Sequence, residues 1–302
     1  MPHKYKAYIL NALYLFVSCV HTYSSWLYKC TPEFQLLLQS IMKIIFVAIL
    51  CKMKTKSMPK IVIYDKYLLL SAVVYGLSSL CTSYLWLSVE ITPYMYSMGT
   101  KPSLFISNVF QNGIATTDNF ISFFSVFGLL FVHKTLVFFF LLKCLLSSLG
   151  SYLSALGLNF GKESEFEERC SKIISFSLIS AFLPLFSLKT FNVKIELFEY
   201  AHAVIGAING LCIAFVLSYN GAIAKIGISS VKDIVFISHS GELTSLNVAS
   251  FVFQTGLAAW VSFTQKIPIQ KEIDKQKETD KQKEMDNKET TDEIPTLTNP
   301  TP

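Results

Sequence analysis

The chain has 302 residues; 52% are hydrophobic, 16% are charged, the mean hydropathy is +0.45 and the formal net charge is +5. A soluble domain carries about 25% charged residues, so a chain this poor in charge and this rich in Phe (25 residues) cannot cover itself with water-facing groups. The composition excludes an ordinary water-soluble domain and points to lipid as the solvent.

A bilayer core about 30 Å thick takes roughly 20 helical residues to cross, and about ten apolar segments approach that length. In chain order they cover residues 7–28, 34–51, 67–89, 94–110, 119–133, 135–158, 172–188, 198–218, 221–238 and 244–264. The first reads as a retained span, since no small-residue cleavage site stands out and more apolar segments follow. The fourth, fifth and ninth are short and carry Gly, Pro or many Ser, as expected where helices line a cavity. Past residue 264 the text turns to Lys, Glu, Asp and Gln with no aromatic residue. Residues 265–302 cannot bury enough surface to offset their ordering entropy and are expected to form a disordered, charged cytosolic tail. The expected fold class is an all-α membrane protein with a transmembrane domain over residues 1–264. The lysines of the tail make the net charge a poor guide to the membrane body, and no nucleic-acid partner is expected.

Basic residues set the orientation. Lys4 and Lys6 precede the first span, while Lys52, Lys54, Lys56, Lys60 and Lys66 crowd the loop after the second. Lys162, Arg169 and Lys172 follow the sixth, and the tail is rich in lysine. With ten spans all of these fall on one side, which places both termini in the cytosol. The first and sixth spans are centred about 128 residues apart, as are the fifth and tenth. Two halves, about 7–133 and 135–264, then enter the membrane oppositely as inverted five-helix repeats. Many transporters share that plan, with the substrate site between the halves at mid-depth.

A lysine at mid-membrane costs about 2.5–3.5 kcal/mol, so interior cations carry information unless they snorkel to an interface. Lys43, Lys101, Lys143, Lys225 and Lys232 lie in or near apolar spans, where acidic residues are nearly absent; Glu90 and Glu242 fall at span ends. Cations without internal partners point to an anionic ligand, and phosphate supplies both charge and acceptor oxygens. Lys101, in TPYMYSMGTKPSLF, and Lys225, in SYNGAIAKIGISS, occupy equivalent spans of the two halves with Gly close by. They are expected to face each other across a watery pocket.

Lys43 and Lys143 lie within reach of an interface, and Asp233 offers Lys232 a local partner. Tyr75 and Tyr96 are candidates to stack on a base or bond a ribose. Pro102 beside Lys101 points to a broken, ligand-facing helix, and Pro184 to a kink. His21 and His202 read as packed side chains or proton relays. The seven cysteines are scattered without a CxxC pair and read as reduced, small hydrophobes, so neither a metal nor a cofactor is expected. EFEERC reads as surface charge, and no carboxylate cluster marks an enzyme.

Several motifs resemble those of the nucleotide-sugar transporters of the drug/metabolite transporter superfamily. Residues 210–225, GLCIAFVLSYNGAIAK, are similar to that family's G-L-x-x-A-x-V-x-K-Y-A-D-N-I-x-K. Gly210, Leu211, Ala214, Val216, Tyr219, Ile223 and Lys225 agree, while Ser218, Gly221 and Ala222 replace Lys, Asp and Asn. Residues 40–43 resemble A-E-x-x-K, with Ser40 in place of Glu and Lys43 kept. Tyr75, Pro93, Tyr96 and Ser97 fit the Y-x-x-x-N-x-L and D-P-A-T-Y-Q segments, with Ser79 replacing Asn. Lys101 takes the place of the family's next lysine with a two-residue shift.

The resemblance implies a ten-helix exchanger in the Golgi or endoplasmic reticulum membrane that imports a nucleotide-sugar and exports the nucleoside monophosphate. It implies a substrate site of Lys225, Lys101, Tyr75, Ser79, Tyr96, Ser97, Tyr219 and Lys43, with lysines on phosphate and tyrosines on base and sugar. A homodimer stays open. So do a carrier of another phosphorylated organic anion and a degenerate, non-transporting scaffold.

Overall fold

A computed structural model of the chain describes residues 3–27, 32–61, 65–87, 91–113, 117–158, 166–187, 197–233, 237 and 244–264. They belong to one compact unit, Met1–Gln265, whereas the expected tail, Lys266–Pro302, lies outside the described residues, as do Glu90 and Glu242. Every regular element among them is helical. In chain order these are α1 (His3–Leu27), α2 (Pro32–Thr55), α3 (Lys66–Leu87), α4 (Pro93–Thr100), α5 (Ser103–Asn112) and α6 (Thr117–Phe123). Two 3₁₀ stretches follow, Phe124–Phe131 and Lys134–Leu136, then α7 (Val137–Gly157), α8 (Phe166–Ser187), α9 (Leu197–Lys232) and α10 (Ser245–Thr264).

Polar and apolar residues are distributed inside out. Ser71, Ser97, Asn108, Ser122, Ser148 and Ser151 are fully buried, while Phe16, Phe120, Leu130 and Phe138 are two-thirds or more exposed. Water would penalise such a surface, and hydrocarbon does not. Many of the buried hydroxyls bond back to their own helix: Ser151 donates to Ser147 O, Ser175 to Ser171 O and Ser177 to Ile173 O. Among the described residues three stretches, Phe34–Thr55, Lys134–Gly157 and Leu197–Lys232, are long and apolar enough to cross a membrane. The chain is an all-helical membrane protein.

Small residues let the helices approach closely. On α3 and α7, Ser71 donates to Gly150 O at 3.1 Å and meets the Ser154 hydroxyl, and Leu68 fills the space that a side chain at Gly157 would need. Between α4 and α5 the chain breaks at Lys101 and Pro102. Pro102 has no N–H for Met98 O, which accepts from Lys101 N at 3.2 Å instead. Gly128 packs against that same carbonyl, where a Cβ would collide.

The segments expected at 198–218 and 221–238 form a single helical stretch, α9, divided at Gly221. Twelve residues of straight helix would carry Ile228 about 18 Å past Val216, yet both pack in one cluster with Tyr14. Asn220 bonds Asn11 at 2.6 Å and Tyr14 bonds Ser229 at 2.8 Å, so the chain turns back along α1 after residue 220. Gly221 makes the reversal with φ 82° and ψ −179°, a conformation essentially confined to glycine. Gly221→Ala is expected to cost about 1–3 kcal/mol, read as a lowered unfolding temperature of the purified protein in detergent. A variant as stable as the parent would show that the reversal does not need this backbone geometry.

Candidate functional site

A cavity of about 240 Å³ lies between α1, α2, α3, α7, α8 and α9. Helical periodicity decides which side chains reach it. From α2 come Leu36, Gln39, Ser40 and Lys43; from α3 come Leu68, Tyr75, Gly76 and Ser79; from α8 come Ile173, Phe176 and Ser180. The α9 contribution repeats at three and four residues: Gly206, Asn209, Gly210, Ile213, Ala214 and Leu217. The two glycines are a trough for the polar residues of α2. A Cβ at Gly206 would strike the Gln39 amide, and one at Gly210 would lie 2.8 Å from Lys43 Nζ.

The Lys43 ammonium stands 5.8 Å from the Phe176 ring centroid, within cation–π range. Among the described residues no carboxylate or hydrogen-bond acceptor meets it. Phe176 packs edge-on against Tyr75, with centroids 5.9 Å apart, and the Tyr75 hydroxyl lies 2.6 Å from Ser151 Oγ. The Ser151 proton goes to Ser147 O, so Tyr75 donates to Ser151. Lys225 also donates to Ser151, at 3.3 Å, and its Nζ is 5.7 Å from the Tyr75 centroid. Two interior cations, Lys43 and Lys225, are thus linked through Phe176, Tyr75 and Ser151. Neither pairs with an acid among the described residues.

Lys101 differs from its sequence reading. It is 3% exposed and pairs with Asp233 at 2.8 Å across 132 residues of sequence. Ser97 donates to the same carboxylate oxygen at 3.0 Å, and Phe251 lies 5.3 Å from the ammonium. Lys101 therefore has an internal counter-ion, and neither Lys101 nor Lys225 is among the residues lining the cavity, so the expected Lys101–Lys225 confrontation across it is corrected; Lys225 stands behind the wall, joined to Tyr75 through Ser151. The helix does break at Pro102, but its lysine meets Asp233. Asp233, expected beside Lys232, is held by a distant partner.

The other expected site residues divide. Tyr75, Ser79 and Lys43 line the cavity. Ser79 donates to Tyr75 O, closing its own helix turn. Tyr96 lies elsewhere, accepting a 2.7 Å bond from Lys143, whose ammonium also covers its ring at 4.2 Å. Tyr219 packs under the Arg169 guanidinium at 4.6 Å. That stacking follows an apolar layer of Leu68, Leu158, Ile173 and Leu217 at the end of the cavity towards Lys52 and Lys54. Ser57 donates to Glu167 at 2.7 Å and Lys60 N to Ser171 at 3.0 Å, tying the loop that follows α2 to α8 on that side.

Asn209 was missed. It is 8% exposed and lines the cavity, and among the described residues its Oδ1 has no partner. Gln35, Gln111, Asn119 and Gln254 also carry unpaired amide oxygens, but of these Asn209 alone lines the cavity, where a ligand or water can reach it. Its signal in the sequence is an Asn inside the apolar run AVIGAINGL. Together the cavity offers one lining cation, Lys43, for phosphate, an amide oxygen for a ligand N–H or O–H, and a tyrosine ring for stacking, with Lys225 behind that ring. No protein family and no curated protein matches the chain.

Proposed function

We propose that the chain is a secondary transporter of a phosphorylated organic anion, exchanging a nucleotide-sugar for a nucleoside monophosphate across an endomembrane by alternating access. The observation that carries this reading is Lys43: it is a half-buried ammonium on the cavity wall that no carboxylate among the described residues meets, while Lys101 has its own. A bound phosphate would supply the missing negative charge. Lys225 and Tyr75 would close the other side of the anion, and Asn209 Oδ1 would accept from base or sugar.

Ten crossings in two inverted halves belong to this reading, with both termini cytosolic in a Golgi or endoplasmic reticulum membrane. Two features favour that count. The α9 stretch, too long at about 54 Å for one crossing, folds back at Gly221. The short fifth segment lengthens through its 3₁₀ turns: seven α and eight 3₁₀ residues span about 26 Å, close to a bilayer core. In this orientation the cavity is shut on the cytosolic side by the apolar layer and the Arg169–Tyr219 stack. Opening that side requires α2 and α8 to part, releasing the Ser57–Glu167 and Lys60–Ser171 bonds. An empty cavity with Lys43 on its wall and Lys225 behind it closes poorly, which favours exchange over net flux.

The cavity volume favours a second reading. At about 240 Å³ it falls below the roughly 300–1,000 Å³ of typical ligand pockets, which suits a small phosphate ester better than a nucleotide-sugar. Thermal unfolding of the purified protein against nucleotide-sugars, nucleoside monophosphates, phosphoenolpyruvate and a hexose phosphate separates the two. Binding at 100 times Kd stabilises by about 2.7 kcal/mol, an upward shift of several degrees. Stabilisation by a nucleotide-sugar and its monophosphate supports the first reading, and stabilisation by the small esters alone supports the second. Indifference to every anion on the panel would leave the carrier reading without support.

A further inference from the structure

At the end of the cavity away from the apolar layer, two imidazoles stack. The ring centroids of His21 on α1 and His202 on α9 are 4.9 Å apart and the planes differ by 10°. His21 lines the cavity, and His202 is 6% exposed. Neighbouring bonds set the tautomers. The single Ser24 hydroxyl proton goes to His21 O at 2.9 Å, so Ser24 Oγ, 2.8 Å from His202 Nδ1, accepts from that nitrogen. His202 then carries its proton on Nδ1. On the other ring, the Gln39 amide nitrogen approaches His21 Nε2 at 3.5 Å, which leaves that nitrogen as an acceptor. Turning the Gln39 amide over presents its oxygen to a protonated His21.

We propose that the His21–His202 pair is a proton-binding site of the cavity, taking up one proton together with the transported anion. Two imidazolium charges stacked this closely repel, so the pair holds one proton and not two. The charged and titratable groups around it, among the described residues, are Lys43 of α2, Lys232 of the returning arm of α9, Cys19 on α1, and Glu199 one turn nearer the start of α9. Those sharing the cavity or acting on His21 are cations. A proton on the pair therefore adds charge to a wall that is already positive, and an anion beside Lys43 offsets it. Proton and anion bind more readily together than apart. The step makes one N–H bond at an imidazole nitrogen with a proton from the solvent, and it needs no other reactant. This inference rests on the anion-carrier reading for its partner, but not for the proton site itself.

The test has two arms on the full chain in lipid nanodiscs. ¹⁵N-histidine NMR between roughly pH 4 and 8 follows both rings without any anion. Calorimetry with uridine monophosphate and with phosphoenolpyruvate, each in two buffers of different ionisation heat, counts protons taken up on binding. The expected result is one shared titration step for both rings and uptake of up to one proton per anion. In His202→Asn, which lies outside the cavity lining, that uptake is lost while anion binding remains. Rings that titrate independently, or anion binding with no proton uptake at any pH in the range, overturn the inference and leave the carrier intact. If neither anion binds, the carrier reading is what suffers. The NMR arm then decides alone: a shared one-proton step upholds the site and its absence removes it.

Discussion

Asp233→Leu is expected to destabilise the protein by about 3–5 kcal/mol, because it leaves the Lys101 ammonium buried without its counter-ion. The side chains of the pair are 2% and 9% exposed, so solvent cannot take over the role of the carboxylate. The lost carboxylate also strands Ser97, which donates to it. The companion result discriminates better than the loss itself. In the double variant Lys101→Leu/Asp233→Leu both charges are gone and two apolar side chains fill similar space, a change that is often neutral. It should recover most of the lost stability. Thermal unfolding of the four proteins in one detergent makes the comparison. A double variant no better than Asp233→Leu would mean that the loss comes from packing, and the ion pair would lose its structural role.

Lys43→Ala and Lys225→Ala are expected to abolish exchange in proteoliposomes while the variants still insert and purify as the parent does. Each removes a desolvated cation from the phosphate, a loss of about 2–5 kcal/mol, or about 30-fold and more in transport at limiting substrate. Neither leaves an orphaned carboxylate behind, since neither lysine pairs with one among the described residues. Their stability should therefore fall little, in contrast to Asp233→Leu. That contrast separates a ligand-facing cation from a structural one: the first loses transport and keeps its fold, the second loses its fold first. Parental exchange by Lys225→Ala would remove that lysine from the site, and the same outcome for Lys43→Ala would remove the central argument for an anionic substrate.

Local text was a good guide to the elements and a poor one to the partners of the charges. The expected boundaries at 34–51 fall within four residues of α2 (Pro32–Thr55), and those at 135–158 and 244–264 within one residue of the Lys134–Gly157 stretch and α10 (Ser245–Thr264). A run of apolar residues and its flanking charges carry that information by themselves. Gly221 was legible only as a replacement in a motif, although its backbone makes the turn between two arms of α9. Of the proposed tyrosines, Tyr75 reaches the cavity and Tyr96 does not, and nothing in their flanking residues distinguishes them.

The sequence alone pointed to the solvent and to most of the helices, because hydropathy and helical period are properties of neighbouring residues. It could also say that an interior lysine requires an explanation, since the cost of burying a charge does not depend on the fold. Which explanation applies was decided by tertiary structure. Lys101 and Asp233 meet from 132 residues apart, and Lys43 reaches its cavity because Gly210, on another helix, has no side chain in the way. Contacts of that range depend on how helices pack, and packing leaves no period in the text.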